Sequence, residues 1–141
     1  MQSDGLHFEF AVDGENFASA GTASETIKNT LKKLGLPPAT VRRTAIAMYE
    51  GEINMVIHAG GGTAVVDITP TAIEIELKDE GPGIADIELA MREGSSTAPE
   101  EIRMLGFGAG MGLSNMKKYS DEMKIESEVS KGTRVLLKIN I

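Results

Sequence analysis

The spacing of apolar side chains changes several times along the chain, and each change predicts a different element. Residues 6–12 alternate apolar and polar side chains, which is typical of a half-buried strand. Over 16–34 and again over 38–59 the apolar residues lie three or four apart, which predicts two amphipathic helices. The glycines at 60–62 are expected to end the second helix. Its predicted apolar stripe consists of Val41, Ala45, Met48, Tyr49, Ile53 and Val56.

The second half of the chain predicts two pairs of strands with a long irregular segment between them. This segment, 83–112, contains one candidate short helix near 87–92, and a further helix is expected at 112–121. A connection of this length inside a compact domain is usually functional or mobile. The order of the elements predicts an α+β fold, a two-layer sandwich whose mixed, mostly antiparallel sheet has all helices on one face. The predicted strands are 63–69, 72–79, 123–129 and 133–141.

Composition narrows the functions that the chain can have. With 141 residues and no repeat or linker-like tract, it is expected to form one domain, 1–141. The absence of cysteine excludes disulfides and thiolate chemistry, and two histidines are too few for a multi-histidine metal site. A net charge of −7 with only three adjacent basic pairs argues against a nucleic-acid partner. No apolar run reaches the about 18 residues of a membrane span, and the N-terminus lacks signal-peptide features, so we expect a cytoplasmic protein without membrane contact.

Two polar residues on the second predicted helix, Glu50 and Asn54, are one turn apart and therefore point to the same side. Such a pair can supply a general base and an oxygen ligand for Mg²⁺, which needs few protein oxygens when phosphates and water complete its shell. Taken alone, the pair is more typical of a solvated helix face. His58 continues the same side, and both a phosphate contact and a structural role stay open for it.

The segment 79–84 follows a predicted strand and contains two glycines around a proline. Gly81 and Gly83 allow a tight turn whose backbone can approach a flat ring. Asp79 is placed to accept a hydrogen bond from an exocyclic amine such as that of adenine. An ordinary Asp-Gly turn explains the same residues equally well.

Four glycines alternate with other residues at 106–112, immediately before the last predicted helix. Closely spaced glycines let successive N–H groups converge on phosphate oxygens, and a helix N-terminus adds about half a positive charge. A flexible linker is the alternative, although a linker rarely abuts a helix with such regular spacing. The chain has neither a Gly-x-Gly-x-x-Gly register here nor a Gly-Lys-Ser/Thr sequence, so the segment is not a dinucleotide-binding or Walker A loop.

Taken together and in this order, the three segments resemble the N, G1 and G2 boxes of the GHKL superfamily, the Bergerat-fold ATPases and kinases that include gyrase, histidine kinases and MutL. The match covers about residues 38–141, and Gly132-Thr133 resembles the family's final motif beside adenine. The small size and the segment 86–97 are most similar to bacterial anti-sigma-factor serine/threonine kinases and to the short switch kinases of stress-signalling modules. This resemblance implies a Bergerat α/β sandwich that binds ATP and Mg²⁺, with an ATP lid at about 84–111.

By matched position, the resemblance implies roles for single residues. Glu50 would be the general base and Asn54 the Mg²⁺ ligand. Asp79 would bind the adenine amine, supported by Thr133 through its hydroxyl or a bridging water. The other nucleotide contacts implied are Gly81, Gly83, Ile84, Gly106, Gly108, Gly110, Met111, Gly112 and Leu113.

The implied activity is transfer of the ATP γ-phosphate to a serine of a STAS-type antagonist protein, with a sigma factor or another switch partner also bound. The alternative is a nucleotide-dependent binding module without significant transfer; Glu50 favours the kinase, because binding alone requires no base. A detached histidine-kinase catalytic domain is less favoured, since no phosphoacceptor histidine lies on a dimerising helix pair. A homodimer through the sheet face stays open, as do phosphate contacts by Arg103 and residues 95–97 in the lid.

Overall fold

The helices and strands follow one another in the predicted order. The computed structural model describes residues 5–13, 21–81 and 112–141. Its strands are β1 (Leu6–Asp13), β2 (Gly61–Ile68), β3 (Ala72–Asp79), β4 (Glu122–Glu128) and β5 (Gly132–Asn140). Its helices are α1 (Thr22–Lys33), α2 (Pro38–Ala59) and α3 (Gly112–Tyr119). The predicted start of the first helix at residue 16, the short helix near 87–92 and the lid at 84–111 lie outside the described residues.

The five strands form one sheet in the order β1-β2-β3-β5-β4, and every pair of neighbours is antiparallel. The register places Ile75 of β3 opposite Val66 of β2 and Leu137 of β5, so these side chains share one face. All three are buried in one core cluster with helix residues such as Ile27 and Met48. The predicted α+β fold, with a mostly antiparallel sheet and helices on one face, is confirmed.

The opposite face of the sheet carries charged side chains. On β1, His7 lies across from Asp67 of β2 and forms an ion pair with it, while its second ring nitrogen is 3.2 Å from Glu9. Hydrogen bonds to Asp67 and then to Glu9 raise the pKa of His7. In the middle of the sheet, Arg134 of β5 pairs with Glu76 of β3 at 2.7 Å. Apolar residues alternate along the strands because the described helices cover only one of the two faces.

Helix α2 has the predicted ends. Pro38 lies in its first turn, where no intrahelical N–H bond is lost. Gly60 ends the helix in a left-handed conformation (φ 72°), with its N–H bonded to the carbonyl of Met55. Strand β2 begins at Gly61, two residues earlier than predicted, because a φ of 107° at Gly61 turns the chain directly into the sheet. Only the first of the three glycines therefore lies between the helix and the strand.

The buried surface of α2 is wider than the predicted apolar stripe. Tyr49, which the prediction assigns to that stripe, is 38% exposed, so this part of the prediction is wrong. Thr44 and Glu52, two polar residues outside the stripe, are buried. The reason is that α2 contacts α1, α3 and the sheet, so side chains around most of its circumference are covered. None of the described helices, α2 included, is long and apolar enough to cross a membrane.

Helix α2 packs directly on the sheet at Gly51, which is buried. A Cβ at this position would overlap Leu77 Cδ1 of β3 and would stand 3.1 Å from Met116 Sδ of α3. The glycine therefore lets one turn of α2 contact the sheet and a second helix at the same time. Because this turn also carries Glu50, the close approach sets the height of that side chain above the sheet.

Substitution of Gly51 by alanine is expected to destabilise the protein, although alanine normally favours a helix by about 1 kcal/mol over glycine. The added methyl group displaces Leu77 and Met116, and overpacking of this kind costs about 1–3 kcal/mol. We expect the free energy of unfolding, measured by urea denaturation, to decrease by up to about 2 kcal/mol in sum. In the Gly51→Ala, Leu77→Val double variant, the loss of unfolding free energy should be smaller than the sum of the losses in the two single variants. A loss equal to that sum would contradict this contact.

Candidate functional site

The side of α2 that carries Glu50 faces helix α3. Asn115 Nδ2 donates a hydrogen bond to Glu50 Oε1 at 3.4 Å. Because α2 is helical throughout, Asn54 lies one turn further along the same side. Both Glu50 and Asn54 are partly buried. The two residues that the sequence pairs thus line the junction between two helices and are not on a freely solvated face.

Helices α2 and α3 run antiparallel. Arg43, in the first half of α2, pairs with Asp121 just beyond the end of α3 (Nη2–Oδ1 3.0 Å), whereas Glu50 pairs with Asn115 nearer its start. Residues nearer the start of α3 therefore lie beside residues nearer the end of α2. The first residue of α3 is about one turn before Asn115, so it lies level with the turn of α2 that follows Glu50. That turn contains Asn54.

Asp121 fixes this alignment at the other end of α3. One of its carboxylate oxygens accepts the backbone N–H of Asn140 in β5 at 2.7 Å, and the other pairs with Arg43. The N–H of Asn140 and, after it, Arg43 lower the pKa of Asp121. The ionised carboxylate therefore joins α2, the end of α3 and β5.

The start of α3 has the electrostatics of an anion site. The first N–H groups of a helix lack intrahelical partners and together carry about half a positive charge. In α3 these groups follow the predicted glycine-rich segment, and no acidic side chain lies in the first turn. The side-chain oxygen of the neighbouring Asn54 is a ligand of the kind that hard cations take. A phosphate group with a bound metal ion matches this combination of donors and acceptor.

At the end of β3, Asp79 lies on the face that carries the helices. Its direction follows from the alternation of Ile75, Leu77 and Asp79 along the strand. Asp79 Oδ1 accepts the backbone N–H groups of Gly81 (3.0 Å) and of Thr133 in β5 (3.2 Å). These two bonds hold the carboxylate in one orientation and leave Oδ2 for a further donor.

The second half of α2 lies over this carboxylate. A Cβ at Gly62 would stand 2.7 Å from Met55 Sδ and 3.2 Å from Asp79 Cβ, so Met55 and Asp79 border the same point. Met55 directly follows Asn54 in the helix. The fold therefore brings Asn54 and Asp79 to the same end of the molecule, as the predicted site requires.

Thr133 contacts Asp79 directly through its main chain. The prediction gives this role to the Thr133 hydroxyl or to a bridging water; the direct bond is made by the backbone N–H, and the bridging water stays a prediction. The hydroxyl lies 2.9 Å from Ser127 Oγ instead. The reason is the register, which sets Thr133 directly opposite Asp79 and so aligns the main chain of β5 with the carboxylate.

The remaining predicted contacts divide between described and undescribed parts of the chain. Gly112 is the first residue of α3, and Leu113 is buried in its first turn. The side chain of His58 is not among the described parts. Also outside the described residues are Gly83, Ile84, residues 95–97, Arg103, Gly106, Gly108, Gly110 and Met111.

The chain is similar in sequence to a known domain family and to several known proteins. Residues 15–139, which include every described helix, the described strands β2 to β4 and all but the last residue of β5, match the model of the histidine kinase-like ATPase domain. The chain belongs to the histidine kinase-like ATPase family. The anti-sigma F factor of Geobacillus stearothermophilus is 34% identical over 94% of this chain and 90% of its own length. That of Geobacillus sp. (strain WCH70) is 36% identical with the same coverage, and the serine/threonine-protein kinase RsbT of Bacillus subtilis is 31% identical over 77% of this chain and 78% of its own length.

Membership of an ATPase family implies that the chain binds ATP. The resemblance drawn from the three sequence segments is thereby confirmed at the level of the family. Most of the similar proteins named above are called anti-sigma factors, and one is called a serine/threonine kinase.

One carboxylate of this ATPase domain has a role that the sequence does not reveal. Helix α1 begins after Gly21 (φ 95°), which supplies no side-chain cap. Instead Glu52 of α2, only 2% exposed, accepts the backbone N–H groups of Gly21 (2.9 Å), Ala23 (3.1 Å) and Ser24 (3.0 Å). A carboxylate there satisfies N–H groups that the helix leaves unpaired and complements its dipole. The one local signal is Gly21 itself, at a position where a capping side chain is usual.

This cap ties α1 to the back of the turn that carries the predicted site. Glu52 lies between Glu50 and Asn54 in sequence but points to the opposite side of α2. Tyr49 reinforces the contact, since a Cβ at Gly21 would stand 2.8 Å from Tyr49 Cε1. Burial, and then the charges of Glu50 and Glu52, raise the pKa of the Tyr49 phenol.

Replacement of Glu52 by glutamine should lower the free energy of unfolding by about 1–3 kcal/mol, because the amide nitrogen accepts no hydrogen bond and buried N–H groups of α1 lose their partner. Urea unfolding followed by circular dichroism measures this change. The matched control is Glu25→Gln, an exposed carboxylate in the first turn of α1, which should change stability by less than about 0.5 kcal/mol. Equal effects of the two substitutions would rule out a special role for the buried cap.

Proposed function

We propose that this ATPase domain is a protein serine/threonine kinase of an anti-sigma system. It transfers the γ-phosphate of ATP to a serine of a STAS-type antagonist protein and also binds a sigma factor or another switch partner. The observation that carries the proposal is the position of Glu50, a carboxylate held by Asn115 one turn from Asn54 and beside the start of α3. The names of the similar proteins, anti-sigma F factor and serine/threonine-protein kinase, support it.

ATP binding in this proposal uses both ends of the site. Asp79 accepts the adenine amine through Oδ2, the oxygen that its two backbone partners leave available. The triphosphate binds at the N-terminus of α3, where the first N–H groups favour an anion. Asn54 Oδ1 holds Mg²⁺, which neutralises phosphate charge when bound. The oxygens and N–H groups present in the described residues fit these three tasks.

Glu50 is the general base of the proposed reaction. Its carboxylate takes the proton of the substrate serine hydroxyl while the serine oxygen forms a bond to the γ-phosphorus. The bond from that phosphorus to the β–γ bridging oxygen breaks, and its electron pair leaves with ADP. Asn115 donates to Oε1 only, so Oε2 is available for the proton. The rest of the protein aligns the reactants and balances their charge.

A nucleotide-dependent binding module without transfer is the second candidate. It is favoured by the names of the two Geobacillus relatives, which are those of anti-sigma factors and not of kinases. The two candidates differ in their need for Glu50, because nucleotide binding requires a metal ligand and an adenine contact but no base.

The substitution Glu50→Gln separates these candidates. Glutamine keeps the size of the side chain and an acceptor for Asn115 but takes no proton. Transfer of radiolabelled γ-phosphate to a STAS-type partner should therefore fall by at least about 100-fold. The affinity for ATP, measured by calorimetry, should change by less than about threefold.

The control for this experiment is Glu25→Gln, which should leave both transfer and ATP affinity at the wild-type level. Undiminished transfer by the Glu50→Gln protein would exclude the proposed base. ATP binding without any transfer by the wild-type protein would favour the binding module.

Asn54→Ala should remove most of the Mg²⁺ dependence of ATP binding, because it deletes the side-chain oxygen proposed to hold the ion. Calorimetry with and without Mg²⁺ measures the gain in ATP affinity that the ion brings, and this gain should fall by at least about tenfold. Asn29→Ala, an exposed asparagine of α1, is the matched control. If Mg²⁺ raises the ATP affinity of both variants as much as that of the wild-type protein, Asn54 is not the proposed Mg²⁺ ligand.

A further inference from the structure

Three polar side chains share one row across the end of the sheet. Asp79 of β3 is opposite Thr133 of β5, and Thr133 is opposite Ser127 of β4. Residues directly opposite in an antiparallel pair have Cβ atoms about 4.5–5.5 Å apart and point to the same face. The row therefore faces the helices, as Asp79 does. Ser127 has no part in the site derived above.

The hydrogen bonds of Ser127 determine the direction of the Thr133 hydroxyl. Ser127 Oγ donates to the carbonyl of Gly132 at 3.1 Å, and since a carbonyl only accepts, this bond uses the single hydroxyl proton of the serine. Ser127 Oγ also lies 2.9 Å from Thr133 Oγ1. Either hydroxyl could donate in that second contact on distance alone, and the bond from Ser127 to Gly132 assigns its proton to Thr133. With its proton committed, the Thr133 hydroxyl offers only lone pairs to any other neighbour.

The adjacent carboxylate offers an acceptor as well. Asp79 Oδ1 is engaged by the N–H groups of Gly81 and Thr133, and an ionised carboxylate has no proton to donate. Asp79 Oδ2 and Thr133 Oγ1 thus present two acceptors on neighbouring strands. An exocyclic amine has two protons and satisfies both, whereas a carbonyl oxygen in the same place meets two acceptors and satisfies neither.

We propose that Ser127 is a specificity-determining residue, which makes the site select 6-aminopurine nucleotides over 6-oxopurine nucleotides. Ser127 does not contact the base. It holds the Thr133 hydroxyl as an acceptor, and Thr133 together with Asp79 selects the amine. The inference rests on the proposed binding of adenine at Asp79 and adds to it that a serine on the edge strand controls part of the selectivity.

Binding of ATP and of inosine triphosphate to the purified protein tests this inference. The two nucleotides share the ribose and the triphosphate, but ATP carries an amine at C6 where inosine triphosphate carries a carbonyl oxygen. Ser127→Ala releases the Thr133 proton, which can then turn toward that oxygen. We expect the ratio of the two affinities to fall by about three- to tenfold, the effect of one neutral hydrogen bond. Thermal unfolding establishes that the variant is folded.

Three further variants make the result specific. Ser127→Thr keeps a hydroxyl at this position and should keep the wild-type ratio. Ser120→Ala should also keep it, since the hydroxyl that it removes bonds to the carbonyl of Met116 at the end of α3. Thr133→Val removes the acceptor itself, so the ratio should fall in this variant and should not change further when Ser127→Ala is added.

A wild-type ratio in folded Ser127→Ala protein would overturn the inference, and so would independent effects of the Ser127 and Thr133 substitutions. If Ser127→Ala does not fold, Thr133→Val decides alone, and an unchanged ratio there would overturn it. A different result would show that the proposed adenine binding at Asp79 itself is wrong. In that case the wild-type protein would bind both nucleotides equally, and Asp79→Asn would leave that binding unchanged.

Discussion

At Gly51, helix α2 rests on Leu77 of β3 and beside Met116 of α3 with no side chain of its own between them. The rest of the site depends on this contact, because the residues next to it in sequence hold the neighbouring helices. Glu52 reaches the N-terminus of α1, and Glu50 reaches α3. A helix fixed by the sheet and by two other helices cannot rotate about its axis without breaking dense packing. The direction in which its polar side chains point is therefore a property of the whole fold.

The local spacing of apolar residues predicts most of the helices and strands, but it does not predict the polar contacts that hold them together. The spacing of apolar residues predicts α2 and β3 with their observed bounds, because Pro38 and Gly60 act on the segment in which they lie. Glu52 could not be predicted as a buried cap, since an acidic residue on a helix is usually solvated and its partners lie 28 to 31 positions away. Tyr49 was misassigned to the core for a related reason, because the edge of an apolar stripe depends on which neighbour covers it.

The sequence predicts which segments form the candidate site, but it does not predict which atoms in those segments form hydrogen bonds with one another. The order of an asparagine on a helix, an aspartate after a strand and a glycine-rich run before a second helix is enough to indicate an ATPase family, and the comparisons confirm that family. Which atoms meet depends on register. The main chain of Thr133 holds Asp79 because β3 and β5 pair residue for residue, and Asn115 meets Glu50 because two helices run antiparallel. Neither alignment is encoded in a local period.

The strand order has a consequence for the time at which the protein acquires its site. Strand β5 lies between β3 and β4, and the bond from Thr133 to Asp79 joins residues 54 positions apart. Closing so long a loop costs chain entropy before the new contacts compensate it, so pairings of this kind are slow to form. A nascent chain that has left the ribosome only as far as β3 carries Asp79 without the strand that orients it. Asp79 therefore acquires its observed orientation only once β5 has paired with β3.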